Sequence, residues 1–141
     1  MTAQNPDFDA LIDRIEKFEK ERLWEDAVYA AKVYLEDTET ISLHEKTVLN
    51  IKRLKGLTAR GLFDEALILA NAIQENSKLS VEEENIVFYE VSKIYENTAQ
   101  EYKSHQALDG LAANYDNAII DANYANYLKQ KASVYKMSSP K

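Results

Sequence analysis

Chemistry in this chain would have to come from carboxylates, lysines, arginines, hydroxyls, tyrosines and two histidines, with no thiol to add to them, because it holds no cysteine. His44 and His105 each stand alone in helical sequence, without the paired spacing of a helical metal site. No Gly-rich phosphate loop, nucleophile elbow or local triad is present. The carboxylates Glu82-Glu83-Glu84 open a helix, where acids complement the positive end of the dipole. The expectation is a protein that is not an enzyme and uses no metal or cofactor.

The sharper signal is electrostatic. Residues 44–60, HEKTVLNIKRLKGLTAR, hold Lys46, Lys52, Arg53, Lys55 and Arg60 against Glu45 alone. That is +4 inside a chain of net charge −7, so the remainder carries −11. At 100° per residue, Lys46, Asn50, Arg53 and Arg60 fall within an arc of about 80°. Such a row, with an amide among the cations, suits an acidic peptide, a terminal carboxylate or a phosphate. Charge compensation between neighbouring acidic helices is the competing explanation. The overall acidity argues against nucleic acid as a partner.

The elements that must carry these residues are helices. The chain has 141 residues, is 45% hydrophobic, and contains only 3 Gly and 2 Pro. That is an all-α composition for a single domain spanning 1–141. No basic flank leads into an apolar run at the N-terminus, and no stretch is long enough to span a membrane. A cytoplasmic protein is the expectation.

Helix starts are written clearly. Asn5-Pro6 reads as an N-cap followed by proline in the first turn, and Ser42/Glu45 and Ser80/Glu83 read as capping boxes. Between them a motif recurs: an aromatic at Trp24, Phe63 and Tyr115; an acid at Glu25, Asp64 and Asp116; alanine at 27, 66 and 118 and again at 31, 70 and 122. Alanines four apart let a neighbouring helix approach closely, and the aromatic wedges the turn. Gly61 and Asn114 tolerate the left-handed conformation that ends a helix; Arg22 does not, so its turn is expected to differ.

The parse is three helix pairs, about 6–37, 43–76 and 81–136, with 137–141 as a flexible tail. Because 34 residues separate Ser80 from Asn114, against 19 between Ser42 and Gly61, the fifth helix is expected to be lengthened, with a break or kink at Asp109-Gly110.

GLFDEAL (61–67) and ANYDNAI (113–119) resemble the turn and second helix of the tetratricopeptide repeat. The resemblance implies a right-handed solenoid of three antiparallel helix pairs, with a groove lined by the first helix of each. It covers about half the chain. The copies depart from the family in spacing, 39 and 52 residues, in lacking its Leu-Gly pair, and in having no closing proline. On this resemblance the helix bearing Lys46, Asn50, Arg53 and Arg60 faces the groove. Lys46-x-x-x-Asn50 is similar to the family's carboxylate clamp, although neighbouring helices do not supply the rest of one.

A second candidate surface is tyrosine-rich, since seven of the nine tyrosines lie from Tyr89 onward. On the last helix Ala118, Ile119, Ala122 and Ala125 read as the inward face, leaving Ile120, Tyr124, Tyr127 and Tyr135 to point elsewhere. These tyrosines either pack internally or meet another chain.

The function expected is a non-catalytic protein-binding module, an adaptor, co-chaperone or regulatory subunit. It would use Lys46, Asn50, Arg53, Arg60, Tyr124 and Tyr127. The alternatives are a homo-oligomeric subunit joined through the Tyr-rich C-terminal helices, and a small secretion or assembly chaperone.

Overall fold

Two serines set the starts of two helices. Ser42 Oγ accepts from the Glu45 backbone N–H at 3.1 Å while the Ser42 N–H donates to Glu45 Oε1 at 3.2 Å. Ser80 and Glu83 make the same reciprocal pair at 3.1 and 3.0 Å. Each box satisfies two of the donors a helix start leaves open. The computed structural model describes residues 6–76, 78–116 and 121–138, excepting the side chains at 76, 137 and 138. Among them the chain is all-α, with no strand. The helices are α1 Pro6–Lys20, α2 Trp24–Asp37, α3 Leu43–Ala59, α4 Phe63–Asn76, α5 Val81–Asn97, α6 Glu101–Asp116 and α7 Tyr124–Ser138. None is long and apolar enough to cross a membrane.

One turn is used three times. Residues at positive φ follow α1, α3 and α5: Arg22 at 60°, Gly61 at 78° and Ala99 at 57°. The next residue donates its N–H back across the helix end: Leu23 to Phe18 O at 2.8 Å, Leu62 to Leu57 O at 3.0 Å, Gln100 to Tyr95 O at 2.8 Å. The positive-φ residues donate to Glu19, Thr58 and Glu96 O at 3.0 to 3.2 Å. Together these bonds make a Schellman ending each time.

This overturns four sequence expectations. The Arg22 turn does not differ from that at Gly61. The fifth helix is not lengthened, because the backbone turns at Thr98–Gln100 and α6 follows. Gly110 does not break the helix; it lies inside α6, where the absence of a Cβ admits the Phe88 ring, whose nearest atom would stand 2.8 Å from one. The 113–119 motif therefore does not open a helix at its aromatic: Tyr115 and Asp116 end α6.

The second helices begin alike. Ala27, Ala66 and Ser104 donate to Leu23, Leu62 and Gln100 O at 3.0, 2.9 and 3.0 Å. Ala27, Ala31, Ala66 and Ala70 are at most 1% exposed, the close approach their size allows. In the third helix pair Ser104 and Leu108 occupy the corresponding turns and are also buried.

Leu11 and Ile15 of α1 pack with Ala27, Ala31 and Leu49. Ile51, Leu54 and Leu57 of α3 join Val87, Val91 and Ile94 of α5 in the central core. A third cluster holds Leu108, Leu111, Tyr115, Tyr127 and Val134. Among the described residues every helix contact joins elements one or two places apart in chain order: consecutive helices touch, and so do α1 with α3, α3 with α5 and α5 with α7.

Polar bonds attach α7. Gln130 Nε2 donates to Glu96 Oε1 at 3.0 Å and to Ser92 Oγ at 3.3 Å, and Ser133 donates to Glu96 Oε2. Ahead of the helix, Asn85 Nδ2 donates to Asp121 Oδ2 at 3.0 Å and Tyr115 OH to Asp121 Oδ1 at 3.0 Å. Asn5, the proposed inward residues Ala118 and Ile119, outward Ile120, and tail residues 139–141 lie outside the described residues.

Candidate functional site

The basic run of α3 divides between two sides of the helix. Lys52 Nζ is 3.2 Å from Glu19 Oε1, and Lys55 Nζ 4.0 Å from Glu19 Oε2, so both turn toward α1. On α5, Glu90 is 2% exposed and Lys93 Nζ stands 2.8 Å from its Oε2. Burial pushes the Glu90 carboxyl above its ordinary range; Lys93 and Lys55 pull it down, and Glu19 adds a smaller upward push. Part of the basic run thus compensates carboxylates of α1 and α5.

The predicted stripe lies about 80° or more round the helix from Lys52. Arg53 Nη1 donates to Asn50 Oδ1 at 3.1 Å, and both side chains are half-buried. Lys46 and Arg60 are exposed, and Arg60 caps the C-terminus of α3. Charge compensation and the stripe are therefore carried by different cations of one helix.

The tyrosines are brought together as core. Tyr115 lies 5.0 Å, centroid to centroid, from both Tyr124 and Tyr127, and Tyr127 is 5% exposed. Burial, then the Asp121 hydrogen bond and charge, push the Tyr115 phenol well above its ordinary range. Tyr127 thus faces inward with Gln130 and Val134, and Tyr124 is half-buried beside it. The expected faces hold only in part: Tyr135 points outward as expected, but Tyr127 faces the core, and Ala122 and Ala125, expected inward, are exposed. The physical reason is that α5 supplies polar partners for α7, so the inward face is mixed rather than a run of alanines. His105 stacks edge-on against Tyr135 and sits 3.7 Å from Glu101, while His44 is exposed. Among the described residues no group of His, Cys, Asp or Glu is arranged to hold a metal ion.

Sequence reasoning missed the groove between α1 and α2, with a volume of about 430 Å³. Phe18, Ala30, Val33 and Tyr34 line it, Tyr29 stands 67% exposed beside them, and Arg14, Asp26, Asp37 and Thr38 complete the lining. The legible signal was that α2 is apolar on two faces. Trp24, Ala27, Val28 and Ala31 make the core stripe, while Tyr29 and Val33 fall outside it. A smaller cleft of about 150 Å³ between α3 and α5 is lined by Val48, Ile51, Lys52, Lys55, Glu83 and Ile86.

The chain matches no protein-family model, no curated protein and no solved structure. Function has to be read from these surfaces.

Proposed function

We propose that this chain is a non-catalytic helical-repeat module that holds a helix or peptide of another protein chain in the α1–α2 groove. The observation that carries the reading is the groove itself: an apolar floor, a large exposed tyrosine beside it, and acidic groups at Asp26 and Asp37. Concave apolar surface with a few charged groups is the usual form of a recognition site, and an aromatic in it supplies contact area at small entropic cost.

We read the scaffold as a tetratricopeptide-like solenoid. Three things support this: the turn repeated at Arg22, Gly61 and Ala99, the corresponding small residues at 27, 66 and 104, and the serial contacts of first helices. In that arrangement α7 stands where the first helix of a further pair would, touching α5 and α6 as α5 touches α3 and α4. An adaptor or regulatory subunit is the job such a scaffold fits.

Exposed Lys46 and Arg60 favour a second reading, an acidic segment held along α3. Photo-crosslinking in cells separates the two, with p-benzoylphenylalanine substituted at Tyr29 in one variant and at Lys46 in another. The groove reading expects protein adducts from position 29. Adducts from position 46 alone would transfer the site to α3, and adducts from neither would overturn a binding role for both surfaces.

A further inference from the structure

The occupant of the groove can be argued from α7. Its outward face carries Ala125, Leu128, Ala132 and Tyr135, at alternating spacings of three and four residues and within an arc of about 80°. Leu128 is 47% and Tyr135 55% exposed, although the Tyr135 ring also touches His105. Lys129 and Lys136 flank this stripe on one side and Lys131 on the other. A helix with this pattern is amphipathic and basic, and its inner face is already engaged by α5 and α6.

The groove is its complement. Helix α7 has three lysines and no acid, whereas α2 has four acids and one lysine. Asp26 and Asp37 on α2, and Lys129 and Lys136 on α7, are all exposed, and none is in an ion pair among the described residues. Along the helix axes the two aspartates stand about 16 Å apart and the two lysines about 10 Å, a difference that lysine stems can span. Among the described residues of one molecule the surfaces do not meet, because α7 touches neither α1 nor α2.

We infer that the α1–α2 groove takes the outward face of α7 from a second copy of this chain, joining copies head to tail. This rests on the reading of the groove as a protein-binding site and names its occupant. Such a contact uses two different patches, so one contact leaves an open groove on one copy and an open α7 on the other, and chains or rings result. The interface combines burial of Leu128 and Tyr135 against Phe18, Val33 and Tyr34 with charge pairing at the rim, which salt weakens.

Sedimentation equilibrium of the full chain, from micromolar to sub-millimolar concentration, tests it. The expected result is a weight-average mass that rises with concentration, with association weakened about tenfold in high salt. D26K/D37K and K129E/K136E should each be monomeric with unchanged circular dichroism, and their equimolar mixture should associate again, because each then meets opposite charge. Leu128→Glu should also be monomeric. A strict monomer throughout, or variants that associate like the parent, would overturn the inference. So would a mixture that does not recover. A Tyr29-position crosslink to residues 1–5 of the same chain overturns both this inference and the groove reading. A crosslink only to a foreign protein overturns this inference and leaves the proposed function standing.

Discussion

Lys52 on α3 reaches Glu19 on α1 across 33 residues of sequence, with Nζ and Oε1 3.2 Å apart and both side chains under one fifth exposed. Glu19 also lies 4.0 Å from Lys55, so one carboxylate answers two cations. Replacing it by Gln leaves Lys52 half-enclosed without an opposite charge. Glu19→Gln should lower unfolding free energy in urea by about 1–3 kcal/mol. Adding Lys52→Met should return part of that loss; a double variant as unstable as the single one would assign the cost to Glu19 packing instead.

The repeated turn predicts opposite effects of one kind of substitution. A non-glycine residue in the left-handed region costs roughly 1–2 kcal/mol, partly offset by the greater freedom of glycine when unfolded. Arg22→Gly and Ala99→Gly should therefore each raise stability by about 0.5–1 kcal/mol. Gly61→Ala should lower it by about 1 kcal/mol through the backbone alone, since a Cβ there would meet nothing within 4 Å. Thermal unfolding of the three variants is sufficient to check the signs.

How much of this was legible follows from what marked each element. The starts of α3 and α5 were readable because serine and glutamate three residues apart have one local use, and the structure puts both pairs to it. The α3–α4 turn was readable because Gly61 stands at its left-handed position. The α5–α6 turn was not, because Ala99 adopts that conformation with no glycine to announce it. Its support comes from Thr98, which bonds back to Ile94 O at 2.9 Å, and from Gln100, whose side chain bonds to Thr98 at 2.9 Å. Gly110 misled in the opposite sense: its reason is clearance for Phe88, which no local pattern records. At the candidate site the cations of α3 were visible as a run, but their division between Glu19 and solvent depends on tertiary contacts. The groove was hidden because α1 and α2 each contribute residues lying off their own core stripes.

Close approach of α2 and α3 depends on Gly56. A Cβ there would collide with Val28 Cγ2 and stand 3.4 Å from the Trp24 carbonyl oxygen. Gly56→Ala should destabilise by about 1–3 kcal/mol, despite the roughly 1 kcal/mol that alanine contributes in a helix interior. Val28→Ala in the same chain should relieve the clash, so the double variant should lose less than the two single losses together, as read by denaturant titration.

Glu90 predicts a pH dependence. Its folded carboxyl is held above its ordinary range by burial, against the opposing pull of Lys93 and Lys55. The folded chain thus holds this proton more tightly than the unfolded chain. Its contribution to stability is complete below the ordinary carboxylate range and is lost as pH rises through the raised folded value. Glu90→Gln removes that loss, so its melting temperature relative to the parent should increase as pH rises above the ordinary carboxylate range. A difference that stays constant with pH would show that Glu90 titrates as an ordinary carboxylate.

Since each helix touches only those one or two places away in the chain, no contact has to close a long loop before it is rewarded. The entropy of loop closure is spent in small steps, and folding of such a chain belongs to the fast, microsecond-to-millisecond class. The same wiring sets the order of opening. Among the described residues helix α7 packs on α5 and α6 alone, in part through Gln130 and Ser133, whose bonds water can replace, whereas α3 buries its own Leu49 and Leu54 at 0% exposure among four other helices. Unfolding therefore starts at the ends and travels inward, and the amides around Leu54 are the last to exchange their protons.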